Sequence, residues 1–248
     1  MTMRSTGDGT DKAVFVGANQ PYKTPEQITD EDYKVAPTSV DDSIISSGES
    51  NRSFPDWQNL YGDESQVEKL PWYTDELDPD LKSELAATGI SGGKFLDLGT
   101  GPATQAIGLA KLGFDVTGTD ISVSAIARAK KLRADVTFVQ DDILDSKLSD
   151  NQFDYVFDRG CFHTLEPSGR AKYVCKVASL LKPGGILFLK TFSVNEPRNY
   201  GPYQFSAEMI KALFDGRFEM IKSFETVFQG TLPALPKALF TVMKKKAS

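Results

Sequence analysis

The chain has 248 residues, 40% hydrophobic and 25% charged, the profile of an ordinary globular unit with a tail and not of a fibrous or low-complexity chain. With two cysteines and one histidine, a disulfide framework and a multi-histidine metal site are excluded, so no metal and a reducing, cytoplasmic setting are expected. The net charge of −6 sits mostly in residues 1–50, which hold nine acids against four bases, and the nearly neutral remainder argues against nucleic acid or an anionic membrane as partner.

Residues 1–53 are rich in Ser, Thr, Asp, Gly and Pro, with apolar residues only in scraps such as Val14-Phe15-Val16. That composition predicts an acidic, mostly disordered tail before a domain spanning 54–248. No apolar run is long enough to cross a bilayer, and the first residues lack the apolar core of a secretory signal. Asp56 can cap a short helix from Trp57. Pro71-Trp72-Tyr73 reads as a break, and residues 80–87, after Pro79, read as a helix ending at Gly89. These pieces precede the first strand, so residues 54–90 are placed to fold over a site as a lid.

Lys94-Phe95-Leu96-Asp97-Leu98 reads as a buried strand, Gly99-Thr100-Gly101 as a tight turn, and residues 103–112 as a helix. Strand, glycine turn and helix open a nucleotide-binding βαβ unit, in which the glycines allow close approach and the helix N-terminus offers free N–H groups. A dinucleotide fingerprint carries its third glycine where this chain has Thr104. Asp97, two residues before Gly99, would repel a pyrophosphate and suit a cationic ligand.

The second strand, 115–119, ends at Asp120, about 20 residues past the turn, where an acid accepts hydrogen bonds from ribose hydroxyls. Ile121 follows, and Ser122 caps a helix running to about residue 133, with Arg128, Lys130 and Lys131 read as a solvated basic face. The third strand, 136–140, ends at Asp141-Asp142-Ile143. The fourth, Phe153-Asp154-Tyr155-Val156-Phe157, delivers Asp158-Arg159-Gly160-Cys161-Phe162-His163 to the carboxyl edge of the sheet. A helix over 170–181, the Lys182-Pro183-Gly184-Gly185 turn and an apolar strand over 186–192, broken by Lys190 and Thr191, come next. An aromatic, proline-rich loop over 193–205, a helix capped by Ser206 and two strands near 218–228 and 238–244 complete the chain.

The acid–glycine turn and the segments after it resemble the class I S-adenosylmethionine-dependent methyltransferases. Within that class, Pro71-Trp72, the Phe153–Gly160 stretch ending in Asp158-Arg159-Gly160, and Gly201-Pro202 resemble the branch of thiopurine, thiol and halide methyltransferases. The resemblance implies a Rossmann-like α/β fold: a seven-stranded, mostly parallel sheet with an antiparallel C-terminal edge strand and helices on both faces. It implies S-adenosyl-L-methionine as cofactor, with Asp97 at its methionine end, Gly99 and Gly101 allowing its approach, Asp120 on the ribose, Ile121 on the adenine face, Asp142 and Ile143 on the adenine edge, Asp158 beside them, and Trp72 closing over it. It implies that Arg159 faces the acceptor and favours an anion. Asp158 and His163 are the candidates if a base is needed. Cys161 reads as a small apolar side chain. The implied enzyme is a monomeric S-methyltransferase acting on a small thiol or sulfide. A small-molecule O- or N-methyltransferase and a non-catalytic cofactor-binding module are the alternatives.

Overall fold

The computed structural model describes residues 54–133, 135–198 and 201–247; the predicted tail lies outside them. Two short helices, α1 (Trp57–Leu60) and α2 (Glu64–Val67), come first, each capped by an aspartate, Asp56 and Asp63. Helix α3 (Pro79–Thr88) has Asp78 as its N-cap and Gly89, with φ of 69°, as its left-handed C-cap. There follow β1 (Lys94–Leu98), α4 (Thr104–Lys111), β2 (Asp115–Asp120), α5 (Val123–Leu132), β3 (Thr137–Gln140), β4 (Phe153–Arg159), α6 (Pro167–Leu180), β5 (Leu181–Ser193), β6 (Gln204–Phe205), α7 (Ala207–Phe214), β7 (Phe218–Val227) and β8 (Lys237–Lys245).

The strands form one sheet in the order β3-β2-β1-β4-β5-β8-β7, with the two-residue β6 beside β5. β1 to β5 pair in parallel, and β8 runs antiparallel to both β5 and β7. The C-terminal strand is thus antiparallel as the pattern predicts, but it lies inside the sheet, and β7 forms the edge. The fold is Rossmann-like and α/β. β6 has no apolar run of its own and was invisible to periodicity. β5 begins at Leu181 and not at 186, because residues 181–186 remain in the sheet across a bulge opposite Phe153–Tyr155.

Alternating side chains divide two cores, as strand geometry requires. Phe95, Phe157, Phe188 and Phe240 meet α3, α4 and α5 on one face. Leu96, Val156, Leu187, Leu189 and Met243 meet α6 and α7 on the other. Each such side chain, removed from water, contributes about 1.5–3 kcal/mol. Arg128 corrects one expectation: it is buried, with Nη1 donating to the Pro102 carbonyl at 2.9 Å, while Lys130 and Lys131 are exposed. Its guanidinium closes the carbonyl side of the glycine turn. Among the described residues, no helix is long and apolar enough to cross a membrane.

Candidate active site

Register sets the site. Leu98 pairs with Thr119 on one side and Asp158 on the other, which brings Asp97, Asp120 and Asp158 almost into one line at the carboxyl edge. Asp97 Oδ2 accepts from Thr100 Oγ1 at 2.5 Å and from the Ala106 amide at 3.1 Å. Helix α4 has no capping side chain of its own, since Ala103 stands at the cap with φ of 66°, so Asp97 caps it from the strand. Asp120 holds two turns together: Oδ2 accepts from the Gly101 amide and Oδ1 from the Ser122 amide, both at 2.9 Å. Asp142 Oδ1 accepts from the Leu144 amide at 2.9 Å, starting a short 3₁₀ turn that buries Ile143 in the core under α6. Ile121, at the end of β2, is 51% exposed.

Burial pushes the Asp97 carboxyl up to about 6, with Asp120 and Asp158 adding repulsion. Burial also raises Asp120, and brings Asp158 to about 6. Among the described residues, none of these three buried carboxylates pairs with a lysine or arginine. Carboxylates gathered without cations suit a ligand that brings positive charge and hydroxyl donors. This donor set, with the exposed apolar Ile121 beside it, fits the sulfonium, ammonium and ribose of S-adenosylmethionine.

The glycine turn departs from its expected use. A Cβ on Gly99 would lie 2.9 Å from Cys161 Cβ, and one on Gly101 would lie 2.5 Å from the Tyr61 hydroxyl. The two glycines, with φ of 71° and 43°, therefore make room for protein side chains as well as for the turn. Tyr61 is buried and accepts from Trp72 Nε1 at 3.2 Å; Trp72 is half-buried and meets Trp57 edge-on. Cys161 is half-buried; the loss of water around its thiol, then Asp158 and Asp120, push its pKa up, so it is no nucleophile near neutral pH.

The three candidates after β4 take other roles than those expected. Asp158 accepts from the amides of Gly160, Cys161 and Phe162 at 3.0, 2.7 and 2.9 Å and from the Tyr173 hydroxyl at 2.5 Å. It organises the turn and has little capacity left for a substrate proton. His163 is buried between Phe192 and Phe228, and its Nδ1 accepts from the Phe192 amide at 3.1 Å. Burial, then the Arg159 charge, lowers its pKa to about 3. The ring is neutral, its remaining proton is on Nε2, and it has no free lone pair to act as a base. Arg159 does not reach into an open pocket. Nε donates to Asp78 Oδ2 at 2.8 Å, Nη1 to the Trp72 carbonyl at 3.1 Å and Nη2 to the Gln229 carbonyl at 2.7 Å.

Sequence reasoning missed the lysine that shares Asp78 with this arginine. Lys190 is fully buried, and its ammonium donates to Asp78 Oδ2 at 2.7 Å, Asp80 Oδ2 at 2.6 Å and Gln229 Oε1 at 2.9 Å. The signal was a single lysine in an otherwise apolar strand, which must find buried acceptors.

A family profile described as a methyltransferase domain matches residues 95–185. An uncharacterized methyltransferase of Synechocystis sp. is 31% identical over 154 residues, 62% of this chain and 69% of the relative. A probable thiol methyltransferase of Arabidopsis thaliana is 28% identical over 158 residues, covering 61% of this chain and 70% of that protein. Among solved structures, a SAM-dependent methyltransferase from Anabaena variabilis superposes with a TM-score of 0.63 at 20% identity, over 80% of this chain and 98% of that one. One from Methanosarcina mazei superposes with a TM-score of 0.61 at 19% identity, over 70% and 100%. The chain belongs to the class I S-adenosylmethionine-dependent methyltransferases.

Proposed function

We propose that this methyltransferase moves its methyl group to the sulfur of a small thiol or sulfide. The observation that carries this reading is that the two candidate bases among the described residues, Asp158 and His163, are both occupied. Asp158 is bonded to three amides and a phenol, and His163 is neutral with its one lone pair occupied. A phenol or an ammonium acceptor is mostly in its unreactive protonated form near neutral pH and gains most from a base, whereas a thiol ionises more readily there. The likeness to the Arabidopsis protein supports the same class of acceptor.

S-adenosylmethionine supplies, when bound, a methyl carbon activated by its sulfonium. Asp97 would hold its methionine end, Asp120 the ribose, and Ile121 and Asp142 the adenine, and Trp72, from residues 54–90, would cover them. An acceptor arriving as a thiolate would displace the thioether sulfur from that carbon, and the thioether would leave with the electron pair of the broken bond. The thiol proton has already gone to solvent. Orientation and exclusion of water supply the rate, up to about 7–11 kcal/mol in well-aligned systems. Arg159 acts here through its fixed charge and by holding the Trp72 backbone, and Phe228, packed with His163 and Phe192, lies beside its guanidinium.

The test is label transfer from methyl-labelled S-adenosylmethionine to hydrosulfide, methanethiol, an aryl thiol, iodide, a phenol and an amine. Transfer to the sulfur compounds is expected. Transfer confined to the phenol or the amine overturns the acceptor class and leaves family and cofactor intact.

A further inference from the structure

We propose that Lys190 is a positioning residue for methyl transfer, acting through Asp78 and Asp80 to lock residues 71–80 over the cofactor turn. This rests on the reading that Trp72 covers the cofactor.

Lys190 sits in β5 at the ligand edge of the sheet, where class I binding residues gather. Its three N–H bonds all go to protein oxygens, so none remains for a substrate. Through Asp78 and Asp80 it grips the start of α3; through Gln229 it grips the β7–β8 connection, and Thr226 at the end of β7 also donates to Asp80 Oδ2 at 2.9 Å. Arg159 shares Asp78 and ties in the Trp72 carbonyl. The Asp78 amide donates to Gln105 Oε1 at 2.8 Å, on α4 just past the glycine turn. Burial alone would raise the Asp78 carboxyl, but Lys190 and then Arg159 outweigh it and hold it below its ordinary value.

Stability is a poor reason for such a cluster, because well-packed apolar residues usually replace buried ion pairs without loss. What the cluster supplies is a unique geometry. Four segments distant in the chain meet at one carboxylate pair, and the Trp72 backbone is tied to that meeting point. Residues 71–80 are thus a fixed strap and not a free flap.

The experiment uses the full chain in a Trp57→Phe background, so that Trp72 is the one tryptophan. Acrylamide quenching of Trp72 is measured without ligand, and binding of S-adenosylhomocysteine is measured by calorimetry. Lys190→Met is expected to raise the quenching constant about threefold and the dissociation constant about tenfold. The double variant Lys190→Met/Asp80→Asn removes one charge of each sign; it is expected to recover the unfolding midpoint while keeping both defects. Thr226→Val, which leaves every charge in place, is expected to show about a twofold rise in quenching and serves if the lysine variants do not fold. Wild-type quenching in a folded variant overturns the proposal. Loosened Trp72 with unchanged binding, together with unchanged binding in Trp72→Ala, sinks instead the reading of Trp72 as cofactor cover.

Discussion

The two halves of the ligand edge are built on different principles. In the half formed by β1, β2 and β3, the carboxylates bond amides at most 19 residues away: Asp97 that of Ala106 in the first turn of α4, Asp120 those of Ser122 and Gly101, and Asp142 that of Leu144. In the half formed by β4, β5 and the β7–β8 connection, the bonds span long stretches of chain, 81 residues between Arg159 and Asp78, 112 between Lys190 and Asp78, 146 between Thr226 and Asp80. The first half is a set of devices built from neighbouring pieces of chain, and the second is assembled from remote ones. The matched family profile stops at residue 185, before most of β5 and all of the β7–β8 connection.

The strongest blow to the contrast is aimed where the halves meet. Asp158→Ala leaves three amides and the Tyr173 hydroxyl without their acceptor and should cost about 3–5 kcal/mol of stability in urea unfolding. A cost near zero would mean that the turn after β4 holds itself. Asp120→Ala should leave the remote half intact and weaken S-adenosylhomocysteine binding by about 2–4 kcal/mol in calorimetry, with unchanged affinity refuting the ribose role.

A pH series sharpens the comparison. The folded pKa of Asp97, about 6, lies above its ordinary 3.8, so the folded state holds this proton more tightly than the unfolded chain does. Its contribution to stability is therefore fully present below pH 4 and is lost as pH rises through 6, a swing of about 3 kcal/mol. Affinity for the cationic cofactor should run the other way, falling as pH drops below 6. In Asp97→Asn that midpoint should vanish from the binding curve; its persistence would assign it to another group. The smallest effect belongs to the remote half: His163→Asn should keep kcat within about threefold, against the roughly 100-fold or greater loss expected of a general base.

The same division explains what a linear reading could see. Asp97, Gly99, Gly101 and Asp120 stand out because strand, turn and helix follow one another within a short window. The ends of β1, β2 and β4 were legible for the same reason. The bonds of Arg159 were not legible because its partner Asp78 lies on a segment that only tertiary folding brings near, and an arginine at a strand end reads as free until that partner is known. Lys190 carried a hint in its apolar strand, but nothing local names Asp78 and Asp80 as its acceptors. Tyr61 was missed because its role depends on Gly101 lacking a side chain, a fact about space and not about pattern. The chemistry of His163 was equally hidden, since one backbone amide, from Phe192, decides which ring nitrogen keeps the proton.

The position of β8 has a consequence for the order of assembly. β7 touches the sheet only through β8, which must first lie down along β5. Gln229, in the β7–β8 connection, and Thr226, at the end of β7, cannot reach Lys190 and Asp80 until that last strand is seated. The local devices at β1 to β3 can form on loop-closure timescales, whereas the clamp over the strap joins residues up to 146 positions apart and waits for β8. Folding therefore has a late step that completes the acceptor side, and a chain that stalls before it holds a formed glycine turn under an unlatched cover.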